Sequence, residues 1–204
     1  MHVSEAHKSF ITTQLDKLSD YDALRPKGHV YEFHLHSERV AQSMKSLAKH
    51  MGYNDCMCET LYWATLPHDI GKMALPIHIW DLEDKPTDEQ RQERRSHTWR
   101  GVEIIKSKYR NEYENDRFLK LMIDIMQNHH ECVDGSGYQS KTAKDLTKEV
   151  RMACICDAFD GYSVFRPHFA NRDISPKAVI ARMEIEKAGQ YDPIILKLFK
   201  EIKL

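Results

Sequence analysis

Apolar residues recur at three- and four-residue spacings along nearly the whole chain, with no sustained alternation of β-branched and polar residues. This pattern predicts helix after helix. From Glu32, the positions Val40, Met44, Leu47 and Met51 follow at intervals of four, three and four, and Gly52 stands where a glycine ends a helix. A second helix is predicted from about Met57 to Pro67, with Leu61, Trp63, Ala64 and Leu66 carrying its register and Pro67 stopping it before "HDIGK". Thr87 and Asp88 offer an N-cap for a charged helix leading into "HTWRGVEIIKSKY". The stretch Asp116 to His129 puts Phe118, Leu121, Met122, Ile125 and Met126 on one inner face. Further helices are expected at Glu149 to Asp160, from the Ser175 cap with Pro176 to Gly189, and from the Asp192 cap with Pro193 to the C-terminus. The expected architecture is an all-α, single-domain helical bundle. Residues 1–30 form an N-terminal helix and connection, residues 31–204 hold the main domain, and no repeat or low-complexity linker divides them.

A chain of 204 residues is long enough for one sizeable core. Its 30 basic and 31 acidic residues leave a formal charge of -1, which argues against duplex nucleic acid or an electrostatic membrane anchor as partner. No apolar run approaches the roughly 20 residues of a membrane span, and "MHVSEAHKSF" lacks the features of a signal peptide, so a cytoplasmic location is expected. Cys56, Cys58, Cys132, Cys154 and Cys156 are an odd set that suits neither a disulfide framework nor a four-thiolate zinc site; reduced, packed thiols are expected. The 12 histidines change the picture, because imidazole is the commonest metal ligand.

Their positions sharpen that hint. Glu32 and His36 are four apart at the start of a helix, a spacing that lets both meet one ion or two adjacent ions, though taken alone it is commoner as a surface hydrogen-bonded pair. His68 and Asp69 precede Gly71 and Lys72, so a carboxylate able to bridge cations stands beside a tight turn and a mobile positive charge. In "QNHHECVDGSGYQ" the adjacent His129 and His130 point about 100° apart on a helix, so either they are unrelated surface residues or they reach toward two neighbouring centres. Together Glu32, His36, His68, Asp69, His97, His129, His130 and Asp157 occupy five helical segments whose facing sides one bundle core could gather. His29, His34, His50, His78 and His168 fall outside this set and read as solvated or hydrogen-bonded histidines, with His34 the nearest to it. Met122 and Met126 read as core, Cys154 and Cys156 as packed residues, and "DEQRQERRSH" as a solvated helix face.

The ordered segments Glu32 to Val40, "HDIGK" (His68 to Lys72), "HTWRG" (His97 to Gly101), "HHECVDGSGY" (His129 to Tyr138) and "DAFD" with the later Arg166 and Pro167 resemble the HD-GYP branch of the HD-domain phosphohydrolases. The resemblance runs from about Tyr31 to Leu204 and includes the late "YDP". It implies a helical bundle of the HD-domain type with a polynuclear site of two or three divalent ions, iron or manganese foremost and nickel or zinc compatible with the same donors. It implies hydrolysis of a cyclic dinucleotide, typically cyclic di-GMP. Metal ligands by this resemblance are His36, His68, Asp69, His97, His129, His130 and Asp157, with Asp69 bridging and Glu32 matching the carboxylate of members that hold a third ion. Two cations could keep a hydroxide deprotonated near neutral pH and neutralise phosphate charge in the transition state. Lys72 would steady the phosphate or help protonate the leaving group, Arg166 would clamp the second phosphate, and Tyr138 would lie beside the substrate.

The chain also departs from that pattern. Gln139 stands in the place of the signature proline, "SKTAKDLTKE" replaces the following glycine-containing turn, Gly161, Tyr162 and Ser163 replace Ala-Leu-Thr, and Phe169 replaces a lysine. The metal centre reads as intact while the substrate surface and the surface for a signalling-protein partner, around Tyr138, read as altered. Two other functions therefore stand beside the phosphodiesterase: a nucleotidase or general phosphohydrolase of the wider superfamily, and a low-turnover cyclic-dinucleotide-binding signalling module.

Overall fold

Side-chain caps start most of the helices, each contributing about 1 kcal/mol by satisfying a free amide of the first turn. In the computed structural model, which describes residues 2–26, 31–82, 84–164 and 172–204, these helices are α1 (Glu5–Ala23), α2 (Phe33–His50), α3 (Asp55–Thr65), α4 (Asp88–Arg95), α5 (His97–Lys108), α6 (Arg117–Asn128), α7 (Lys148–Tyr162), α8 (Pro176–Ile185) and α9 (Pro193–Lys203). Ser4, Asn54, Thr147 and Ser175 each accept an amide N–H of their own first turn. Thr87 and Gln90 form a reciprocal capping box, and Asp116 and Asp192 each accept two amides. Gly52 adopts φ +82 just past α2, the left-handed conformation that its position predicts. Two short 3-10 turns, Ile70–Ala74 and Ile77–Ile79, follow α3. Among the described residues there is no strand, only an isolated bridge between Asp134 and Thr142. The expected all-α class is borne out.

The helix expected to run from Thr87 through "HTWRG" is instead two, broken at Ser96. The reason is chemical. The His97 imidazole takes the Arg94 carbonyl at 2.6 Å, so the chain turns where a side chain occupies a backbone acceptor of the helix ladder.

Helix α2 is central and packs against α1, α3, α7 and α9. Val40, Met44 and Leu47 meet Leu61, Ile105, Phe118, Met122, Met126, Ile155 and Phe199 in one hydrophobic core, to which α1 adds Ile11 and Leu15. Helix α1 also braces the start of α2. Arg25, buried just after α1, donates to Asp22 at 2.8 Å, to Asp81 at 2.6 and 2.8 Å and to the Tyr31 carbonyl at 2.7 Å. Asp22 in turn receives the His34 backbone N–H at 3.0 Å and lies 2.9 Å from His34 Nδ1.

The turn carrying Asp69 is pressed onto α5 with no room for a side chain. A Cβ on Gly71 would lie 1.9 Å from the His97 carbonyl oxygen and 2.5 Å from the Gly101 nitrogen. Glycine here serves close approach of two backbones. The five cysteines form no disulfide, and no described helix is long and apolar enough to cross a membrane.

Candidate metal centre

The bundle delivers its polar residues from helix ends. His36 lies in the first turn of α2, His68 and Asp69 follow α3, His97 opens α5, His129 and His130 close α6, and Asp157 projects from α7. His36, His68 and Asp69 are fully buried, and His97 and His129 nearly so. Buried charge and imidazole must be partnered, and the partners decide what the site can do.

Each of four imidazoles uses Nδ1–H outward. His68 donates to the Thr65 carbonyl at 3.0 Å, His97 to the Arg94 carbonyl at 2.6 Å, His129 to the Met126 carbonyl at 2.9 Å and His36 to Asp160 Oδ2 at 2.7 Å. These acceptors assign the tautomer: Nδ1 carries the proton and Nε2 presents its lone pair to the interior. His36 Nε2 then faces His68 Nε2 at 3.3 Å, and His97 Nε2 faces His129 Nε2 at 3.4 Å. Lone pairs aimed at one another at that range repel unless a cation lies between or beside them.

Asp69 joins the two pairs. Its Oδ2 is 3.5 Å from both His36 Nε2 and His68 Nε2, and its Oδ1 is 3.2 Å from His97 Nε2 and 3.6 Å from His129 Nε2. With those Nε2 atoms unprotonated, Oδ1 is a buried acceptor without a donor. Asp157 places Oδ1 at 3.0 Å from His36 Nε2 and 3.6 Å from His68 Nε2, and Oδ2 at 3.3 Å from His130 Nδ1. Two sets of ligand atoms, His36 with His68 and Asp69, and Asp69 with His97, His129 and His130, each lie within 4.8 Å of one another. An orphaned carboxylate oxygen, convergent imidazole lone pairs and a nitrogen and oxygen donor set without thiolate fit divalent transition-metal ions shared across Asp69.

The electrostatics agree. Burial opposes charge on Asp69 and Asp157, yet the Lys72 ammonium beside Asp69, and His36, itself inclined to hold a proton, beside Asp157, keep both carboxyls well below the usual carboxylate range. Burial pushes His68 and His97 down, and His130, also facing His129, down to about 3, keeping these rings neutral and able to ligate. His36 differs: burial opposes its charge, but Asp157 and Asp160 outweigh burial and raise its pKa, so a proton competes with a metal there.

Lys72, 8% exposed, reaches Asp69 Oδ2 at 2.5 Å. Its ammonium lies 4.4 Å from the Phe33 ring centre, 5.6 Å from Trp80 and 5.7 Å from Tyr31, an aromatic cage that fixes the charge beside the Asp69 carboxylate. Tyr138 lies with its ring 4.7 Å from that of His130. Glu32 is not gathered into either ligand set: it is exposed at the N-cap of α2, and its carboxylate is 3.9 Å from His34 Nε2. His34 is taken up by Asp22, and His50 by Glu201 at 2.9 Å. Arg166, with His29, His168 and Phe169, lies outside the described residues.

Three supporting residues were given no role in the sequence reading. Asp160 holds His36 and is itself clasped by Arg39 at 2.7 and 2.9 Å. Both follow the i,i+3 rule, Asp160 from Asp157 and Arg39 from His36, which was the available signal. Glu131, 2% exposed, accepts the Gln139 N–H at 2.8 Å and the Lys141 N–H at 3.0 Å and so ties down the loop that carries Tyr138. A carboxylate directly after a histidine pair was visible, but its partners ten residues on were not.

Comparison with known proteins places this arrangement. Cyclic di-GMP phosphodiesterase PA4108 of Pseudomonas aeruginosa is 29% identical over 167 residues, 81% of this chain and 38% of that protein. The cyclic di-GMP phosphodiesterase of Thermotoga maritima is 25% identical over 190 residues, 93% of this chain and 48% of that protein. The chain thus spans less than half the length of either relative. Among solved structures, Bd1817, an HDG"Y"P protein from Bdellovibrio bacteriovorus, superposes with a TM-score of 0.66 at 17% identity, covering 97% of this chain and 61% of that one, which shows a shared fold. The resemblance to the HD-GYP branch is borne out. The model of the family described as HD domain matches residues 27–195, and the chain belongs to the HD-domain family.

Proposed function

We propose that the chain is a metal-dependent phosphodiesterase that hydrolyses cyclic di-GMP or a related cyclic dinucleotide. The observation that carries this reading is Asp69, whose two buried oxygens face two separate sets of imidazole lone pairs. His36, His68, Asp69 and Asp157 would hold one ion, and Asp69, His97, His129 and His130 the other. Glu32, which the resemblance matches to a third ion, stands at the N-cap of α2 outside both sets. Divalent ions bound there, iron or manganese by preference, would supply an activated water and neutralise charge building on a phosphodiester.

The protein's own groups do the rest. Lys72, held in its aromatic cage, offers ammonium protons to a phosphate oxygen or to the leaving alkoxide. Asp160 and Arg39 keep His36 in the ligating tautomer. Tyr138 walls the site beside His130, and Arg166 is assigned to the second phosphate by the family resemblance. The relatives' activities toward cyclic di-GMP support the substrate class. Free thiols support a reducing, cytoplasmic setting.

The test is hydrolysis of cyclic di-GMP, 3'3'-cGAMP and cyclic di-AMP by protein loaded anaerobically with Fe(II) or Mn(II), followed by chromatography. Linear dinucleotide or mononucleotide products are expected; no product at any metal occupancy refutes the proposal. Gln139 in the loop beside His130 favours a second reading, a low-turnover binding module. Tight dinucleotide binding with negligible turnover selects it.

A further inference from the structure

Arg95 is the last residue of α4, two before His97. Its guanidinium carbon lies 4.8 Å from the centre of the Tyr138 ring, and that ring lies 4.7 Å from His130. A column of guanidinium, phenol and imidazole therefore leads from solvent to the metal ligands. Neighbouring arginines are already engaged: Arg91 with Asp88, Arg94 with the carbonyls of Ile79 and Trp80, and Arg100 with the Ser96 hydroxyl. Among the described residues the Arg95 guanidinium meets no carboxylate and no hydrogen-bond acceptor.

Both sides of this column are fixed. Arg94 anchors the end of α4 at 2.6 Å to the Ile79 carbonyl, and Glu131 anchors the Tyr138 loop through two backbone N–H bonds. A guanidinium resting on an aromatic face has already lost much of its rotamer freedom, so engaging an anion costs less further entropy. Its planar fork matches the paired oxygens of a phosphate. Lys72 is engaged at Asp69, while Arg95 reaches the site through Tyr138 and His130, so Arg95 is left to meet a phosphate other than the one beside Lys72.

We propose that Arg95, stacked on Tyr138, clamps the uncleaved phosphate of a cyclic dinucleotide, sharing it with the Arg166 that the family resemblance assigns to that phosphate, and so makes the site select substrates with two phosphates over simple phosphodiesters. This inference rests on the proposed phosphodiesterase function. The experiment compares wild type, Arg95→Ala and Arg95→Lys, loaded with Mn(II), on cyclic di-GMP and on bis(4-nitrophenyl) phosphate, which carries a single phosphate. Arg95→Ala is expected to raise KM for cyclic di-GMP about tenfold or more, well beyond any change with the simple diester, at unchanged manganese content. Arg95→Lys, with the charge but not the fork, recovers part of the loss. An unchanged KM for cyclic di-GMP, or equal losses on both substrates, overturns the inference. Should wild type cleave no cyclic dinucleotide, the function itself fails, and calorimetric binding of cyclic di-GMP decides Arg95 separately: weaker binding by Arg95→Ala supports the clamp, and equal binding overturns it.

Discussion

Replacing Gln139 by proline would restore the residue that the HD-GYP signature places there, and the structure predicts that this protein is harmed by it. The Gln139 N–H donates to Glu131 Oε1 at 2.8 Å, and its side-chain amide donates to the Gln127 carbonyl at 2.9 Å and to Asn128 Oδ1 at 3.2 Å. Proline removes all three donors. The bond to the buried Glu131 carboxylate is worth about 1.5–3 kcal/mol, and the two amide bonds about 1 kcal/mol together because Gln139 is exposed. Gln139→Ala keeps the backbone donor and should cost only about 1 kcal/mol. The pair of variants therefore isolates the backbone bond. Lys141 remains on Glu131 Oε2, so the loss should appear as local opening of the loop. Amide exchange across residues 135–141 should quicken by about tenfold or more in Gln139→Pro over Gln139→Ala, one decade for each 1.4 kcal/mol. The KM for cyclic dinucleotide should rise with it as Tyr138 loses its support. Equal exchange and equal KM in the two variants would refute the reasoning.

Other expectations test the centre itself. Gly71→Ala puts a methyl 1.9 Å from the His97 carbonyl oxygen, so backbone must move; a loss of at least about 2 kcal/mol in urea unfolding is expected, together with weakened metal binding. Asp160→Asn removes the carboxylate that holds His36 Nδ1–H and leaves Arg39 unpaired, and manganese affinity measured by titration should fall about 10–100-fold with the helical circular dichroism retained. Chelation should lower stability by about 4 kcal/mol relative to protein at a thousandfold excess of metal over its Kd, read as a fall in Tm; a Tm indifferent to chelator would show that these residues bind no ion that matters to the fold.

Much of the fold was legible because capping and periodicity are local. Thr87, Asp116, Ser175 and Asp192 start their helices as their side chains dictate, and Gly52 takes the left-handed turn. The break at Ser96 was not legible, since it depends on a ring reaching a carbonyl. The grouping of His36, His68, Asp69, His97, His129 and His130 follows from their positions at helix ends of one bundle, and Asp157 joins them from within α7. Glu32 shows where the spacing argument fails. Two residues four apart share a face only if both are helical, and Glu32 is the N-cap with φ -89 and ψ 123, so its side chain leaves the axis of α2. Asp160 meets His36 from 124 residues away, hinted at only by its i,i+3 spacing from Asp157, and Glu131 reaches Gln139 and Lys141, 8 and 10 residues on, across an irregular loop that no helical spacing encodes.

The central claim is that Asp69 joins two metal ions across two sets of imidazoles. It is tested most directly by anomalous scattering from crystals of the manganese- or iron-loaded protein. The account predicts two adjacent peaks in contact with Asp69, one beside His36, His68 and Asp157 and the other beside His97, His129 and His130. A single peak, or peaks that leave Asp69 without a metal, would contradict it.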